Sequence, residues 1–153
     1  MAENIRDLIK DPETFFLITG EFKKISTLKK KLLNIKRFNK KILILRIKED
    51  ADQLDEIILE VKKFCKKENV PLLLNSPNKF SYKAKGYHLT SKEIYEYKNS
   101  KNLVLGASCH NEQDIIQAID IGCSYAFLSP VIRKNGIDGM GCLLYTSDAA
   151  DEV

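Results

Sequence analysis

Short apolar runs alternate along this chain with stretches whose apolar residues recur every three or four positions. The runs at 15–19, 42–46, 70–75, 86–90, 103–108 and 125–128 are short, rich in Ile, Leu, Val, Phe and Tyr, and bounded by polar residues, so each predicts a strand. The run at 15–19 is expected to be buried, and that at 86–90 is the weakest. Pro71 fits the start of its strand but not its centre. Between the strands lie helical patterns. Ile25, Leu28, Leu32, Ile35 and Phe38 form one stripe. Leu54, Ile57, Ile58, Val61, Phe64 and Cys65 form a second, preceded by a capping box at Asp50 and Gln53. Ile94 to Tyr97 predicts one or two helical turns. Asn111 caps a helix whose apolar face is Ile115, Ala118, Ile119 and Gly122. Residues 1–13 read as a turn or short helix leading in, and 132–141 as a Gly-rich loop.

Strands alternating with amphipathic helices imply an α/β fold with a parallel sheet and right-handed crossovers. Six β/α units fit either a doubly wound sheet or six-eighths of a TIM barrel, and the period alone does not separate them. The residues that end the strands favour the barrel, whose ligands bind where the C-terminal ends of several strands meet. The second strand ends in Arg46-Ile-Lys48 and the third in Asn75. The fourth carries His88, the fifth ends in Ser108 and His110, and the sixth in Ser129, with Arg133 and Lys134 soon after. Two cations, an amide, hydroxyls and imidazoles around one rim suit a phosphorylated ligand. Each also has a plainer role open to it. Arg46 and Lys48 could be solvated strand-end charges, Asn75 an Asx-turn residue before Pro77, and His88 a hydrogen-bonded core histidine.

Composition narrows the field further. The chain has 153 residues and a net charge of +4. No apolar run approaches the ~20 residues of a membrane span, and Met1-Ala-Glu-Asn-Ile-Arg6 lacks the plan of a signal peptide, so a cytoplasmic protein without membrane contact is expected. The lysines cluster in helical patterns without interleaved aromatics, which reads as solvated helix faces rather than a nucleic-acid surface. Cys65, Cys109, Cys123 and Cys142 form no C-x-x-C pair and read as reduced structural thiols.

Residues 142–153 continue none of these patterns. Cys142 through Glu152 matches, without a mismatch, a translated sequencing adapter of the transposase type; the other reading is a helix start capped by Ser147. We therefore expect one domain over 1–141, followed by a tail at 142–153 that is not native, with the natural frame broken near Gly141.

The motifs Arg46-x-Lys48, Leu-Leu-Asn75, Gly86-Tyr-His88-Leu-Thr-Ser91, Gly106-Ala-Ser-Cys-His110 and Ser129-Pro-Val131 stand in the order of the thiamin phosphate synthase/TenI family, over roughly residues 15–141. The segment from Ala107 to Val131 most resembles the branch found fused to Nudix hydrolases and its stand-alone relatives, which raises a Nudix domain as a partner. The resemblance implies a TIM (β/α)8 barrel, here an incomplete one of about six units. It implies a transferase that joins a pyrimidine methyl pyrophosphate to a thiazole phosphate and releases pyrophosphate. Arg46, Lys48, Asn75, His88, Ser108, Ser129 and Lys134 would bind these substrates, and His110 resembles the acid/base of the family's thiazole tautomerases. Magnesium is the implied cofactor, but Ser76 stands where the synthases carry Asp, Glu93 is merely near the second acid, and Ile44 replaces a Gln. No metal ligand is therefore assigned. These departures keep two other functions open: a TenI-like tautomerase and a non-catalytic module that binds a phosphorylated ligand. A barrel ending at Gly141 would lack the loops after strands seven and eight, which commonly bind phosphate. Such a fragment is expected to be inactive alone, with open sheet edges at strands one and six.

Overall fold

The computed structural model describes residues 4–20, 24–46, 54–75, 84–98, 102–129 and 143–145, in two compact units: the first runs to Asn75 and includes 84–85, and the described part of the second begins at Gly86. The capping box at Asp50 and Gln53 and the loop at 132–141 lie outside the described residues.

The first unit holds three parallel strands, β1 (Phe15–Ile18), β2 (Lys41–Leu45) and β3 (Leu72–Asn75), and the helices α1 (Ile5–Lys10), α2 (Ile25–Ile35) and α3 (Leu54–Glu68). Ile42 through Leu45 of β2 are all buried, as a central parallel strand covered on both faces requires. Leu28, Leu32 and Ile35 of α2, and Ile57, Ile58, Val61 and Cys65 of α3, join them in the core. The expected helical stripes thus carry the packing. In contrast, β1 is not buried: Phe15 and Ile18 are about half exposed, at 51% and 50%. It ends the sheet order and pairs with β2 on one side, so half of each residue lacks cover. Beyond α2, Phe38 packs its ring on Phe15 with centroids 4.6 Å apart. The third strand begins two residues later than expected. Asn69 takes a left-handed backbone (φ 55°) and Val70 donates its N–H to the Cys65 carbonyl, so this segment closes α3 first.

The second unit holds β4 (Gly86–Leu89), β5 (Val104–Cys109) and β6 (Tyr125–Leu128), all parallel, with a 3-10 turn at Glu93–Tyr95 and the helix α4 (Glu112–Asp120). The turn is shorter than the pattern at 94–97 suggested. Its Glu93 and Thr90 cap each other: the Glu93 carboxylate accepts the Thr90 N–H at 2.9 Å, and the Thr90 hydroxyl accepts the Glu93 N–H at 3.2 Å. Asn111 caps α4 as expected, accepting the Asp114 N–H at 2.8 Å. Gly122 is not part of the helix's apolar face. It follows the helix with φ 87°, where glycine is strongly favoured, and lets Cys123 donate to the Ala118 carbonyl. Ile119 also leaves the face, at 38% exposed.

A further strand, β7 (Leu143–Tyr145), runs antiparallel to β6. The open edge at the sixth strand is the expectation for a barrel ending at Gly141; here Leu143–Tyr145, from the 142–153 segment, takes the backbone groups that β6 would otherwise present.

The six parallel strands and their helices define an α/β fold, with the β/α content of an incomplete TIM-type barrel. No helix among the described residues is long and apolar enough to cross a membrane.

Candidate functional site

Successive residues of a strand face opposite sides, and β5 uses both. Ala107 and Cys109 point into a core with Leu89, Ala126, Leu128 and the α4 residues Ile115 and Ala118. Gly106 and Ser108 face the other way. Parallel pairing sets His88 beside Gly106 and Gly106 beside Tyr125, so three neighbouring strands bring His88 and Tyr125 to opposite sides of a residue with no side chain.

That gap is filled by tyrosine. A Cβ on Gly106 would lie 1.9 Å from Tyr125 Cζ and 2.3 Å from its hydroxyl. Laid across Gly106, Tyr125 brings its hydroxyl to 2.9 Å from His88 Nδ1. The other ring nitrogen, Nε2, is 2.8 Å from Ser108 Oγ. Phe127 closes over the imidazole with ring centroids 5.2 Å apart. Burial disfavours charge on both buried rings: His88 is pushed down to about 4, and the Tyr125 phenol is raised well above its usual 10. At neutral pH this is a neutral Tyr–His–Ser chain that ends at a half-buried hydroxyl near the C-terminal end of β5.

His110, one residue beyond β5, is exposed and held differently. Its backbone N–H donates to Asp114 Oδ2 at 3.0 Å, and its Nδ1 lies 2.9 Å from the Ser129 carbonyl oxygen. A carbonyl can only accept, so Nδ1 carries the hydrogen and the lone pair of the neutral ring sits on Nε2. The Ser129 N–H in turn donates to the Cys109 carbonyl at 3.1 Å, tying the ends of β5 and β6 together. Asp114 is buried beneath this loop. Its second oxygen accepts the Tyr95 hydroxyl at 2.8 Å, and that carboxylate raises the Tyr95 phenol above its ordinary value.

In the first unit, Arg46 follows β2 and Asn75 ends β3. Thr19 pins the Arg46 backbone from both sides: its hydroxyl accepts the Arg46 N–H at 2.8 Å and donates to the Arg46 carbonyl at 3.2 Å. Lys48 and Lys134 lie outside the described residues. Among the expected residues, then, the second unit joins His88 to Ser108 and His110 to Ser129. His88 sits where a hydrogen-bonded core histidine would, with both nitrogens facing protein hydroxyls.

Sequence reasoning missed Tyr125, Gly106, Thr19 and Asp114. Tyr125 opens an apolar run and reads as core. Asp114 did have a signal, lying three residues after the cap Asn111. Cys109 is confirmed as packing, and burial pushes its thiol up to about 12, as it does for Cys65 and Cys123.

Among the described residues there is no group of three or more His, Cys, Asp or Glu side chains placed to hold a metal, and Ser76 lies outside them. The two carboxylates beside the site, Glu93 and Asp114, are engaged by Thr90 and by Tyr95 and His110.

The family model for thiamine monophosphate synthase (TMP-TENI) matches residues 15–136. A thiamine-phosphate synthase from Prochlorococcus marinus subsp. pastoris is 35% identical over 100 residues, covering 60% of this chain and 28% of that protein. The thiamine-phosphate synthase of a second Prochlorococcus marinus strain is 32% identical over 91 residues, covering 55% of this chain and 25% of that protein. The chain thus spans about a quarter of the length of these relatives. The matched stretch takes in all six parallel strands and the Tyr–His–Ser chain, and the protein belongs to the thiamine monophosphate synthase family.

Proposed function

We propose that this chain serves thiamin biosynthesis as part of a transferase that couples a pyrimidine methyl pyrophosphate to a thiazole phosphate. The thiazole nitrogen forms a bond to the pyrimidine methylene carbon. The carbon–oxygen bond to pyrophosphate breaks, and pyrophosphate leaves with the electron pair. The protein's share of such a reaction is to stabilise the charge that gathers on the leaving oxygens. The observation that carries the reading is the Ser108 hydroxyl, backed by a neutral buried histidine at the C-terminal end of β5, in a chain of this family. Arg46, Lys48, Asn75, Ser129 and Lys134 join it as ligand contacts by resemblance, as do a cytoplasmic setting and a Nudix partner domain. The test is calorimetric titration of the chain with each substrate. We expect both substrates to bind and Ser108→Ala to weaken the pyrophosphate-bearing one roughly tenfold. No binding of either substrate overturns the reading.

One observation favours a second function. The Nδ1–H of His110 is committed to the Ser129 carbonyl, so Nε2 is left as a base facing solvent. A thiazole tautomerase needs such a group to move a proton between ring positions. Loss of thiazole isomerisation in His110→Ala with thiazole phosphate still bound supports this reading. Neither activity in a full-length parent that still binds thiazole phosphate supports a phosphate-ligand module without turnover.

A further inference from the structure

We propose that Tyr125, acting through the His88 ring, fixes Ser108 as a hydrogen-bond donor to an anionic phosphoryl oxygen. The inference deepens the proposed function and rests on its premise that Ser108 meets a phosphorylated ligand.

Hydrogen direction along the chain decides what Ser108 can do. A neutral imidazole carries one N–H and one lone pair. If Nδ1 holds the hydrogen, Nε2 must accept from Ser108, and the serine proton is spent inside the protein. Ser108 then offers lone pairs to its ligand and repels an anion. If Nε2 holds the hydrogen, it donates to Ser108 Oγ, and the serine proton is free to point outward.

The geometry and chemistry select the second arrangement. Tyr125 is fully buried, and its hydroxyl lies 2.9 Å from Nδ1. A phenol is a strong donor and a weak acceptor, because its oxygen lone pairs are delocalised into the ring. A serine hydroxyl is the better acceptor of the two. Tyr125 therefore donates to Nδ1, and Nε2–H donates to Ser108 Oγ across 2.8 Å. The Ser108 hydrogen is the one left unassigned, and Ser108 is the half-buried member of the three. Gly106 makes the relay feasible, since any side chain there would displace the Tyr125 ring. His88 and Tyr125 are positioning residues: both ring nitrogens of His88 face protein hydroxyls, so its influence on a ligand passes through Ser108.

The experiment is long-range 1H–15N correlation on the 15N-labelled chain, with the two histidines told apart by a His110→Gln sample. We expect His88 to carry its hydrogen on Nε2, with Nδ1 in the unprotonated range. Tyr125→Phe removes one hydroxyl and keeps the ring over Gly106. In that variant we expect the His88 signals to move toward the Nδ1–H tautomer and the Kd for inorganic pyrophosphate to rise roughly tenfold. Adding Ser108→Ala to Tyr125→Phe should then cost little more, because both act on one donor. A wild-type ring protonated on Nδ1 overturns the relay, as does an unchanged pyrophosphate Kd in a folded Tyr125→Phe chain. Should Tyr125→Phe fail to fold, the wild-type tautomer still decides. If the unsubstituted chain binds no pyrophosphate, the premise fails and the role of Ser108 toward anions goes with it. The tautomer measurement needs no ligand and decides the direction of the relay separately.

Discussion

The Tyr125 ring occupies the volume that a side chain at Gly106 would fill, and this one exchange of space lets β6 reach a histidine on β4. Gly106→Ala would place a methyl carbon 1.9 Å from Tyr125 Cζ, a contact that rigid backbone on β5 cannot relieve. We expect a loss of about 1–3 kcal/mol, the usual cost of forcing volume into a packed site. Chemical denaturation measures it. Replacing Tyr125 with Leu in the same chain should recover part of the loss; no recovery would mean the clash is not with the ring.

The buried imidazole makes stability depend on pH. His88 is held at about 4, against about 6.5 for the unfolded chain, so between those values the unfolded state binds more protons. Stability is therefore full above about pH 6.5 and falls as the pH drops toward 4, by up to about 3 kcal/mol in all. Tyr125, Ser108 and Phe127 surround the ring, and none of them supplies a negative charge to hold a proton there. Unfolding curves across this range should show the slope, and a folded His88→Gln chain should show much less of it.

The Asp114 carboxylate gathers two polar groups, and its loss should be felt in the loop that carries His110. Asp114→Asn keeps an acceptor for one of Tyr95 and the His110 N–H but not for both. A buried donor left without its partner costs about 1–3 kcal/mol, so the melting temperature should fall and the His110 amide should exchange faster. An amide that keeps its protection would show that the Oδ2 contact does not hold the loop.

Burial also predicts silence from three thiols. Cys65, Cys109 and Cys123 are buried thiols outside any disulfide, with values pushed up to about 12. In a Cys142→Ser chain, a disulfide reagent near pH 8 should react fully only after denaturant is added, because the thiolate is the reactive form. Rapid labelling of the native chain would contradict the packing around them.

Much of this was legible in the chain itself. Period and length located six strands and the main helices, and strand-end polarity picked out Ser108 and His110. What escaped was lateral. Alternation tells which face a residue takes, but not which residue on the next strand lies beside it. Nothing in Gly106 or Tyr125 alone announces that one makes room for the other. Glu93 went without a role although its spacing from Thr90 is that of a capping box, and the two do cap each other. Gly122 looked like a small residue on a helix face and proved to be the residue that stops the helix. Phe15 and Ile18 looked internal because a β-forming run does not say whether its strand is flanked on one side or two.

The antiparallel pairing of Leu143–Tyr145 with β6 has a bearing on growth of the sheet. Another β/α unit laid down beside Tyr125 would have to arrive parallel, and it would find that berth taken. Three residues make a shallow hold, so a longer incoming segment could unseat them, and the sixth strand is left with competing suitors rather than a vacancy.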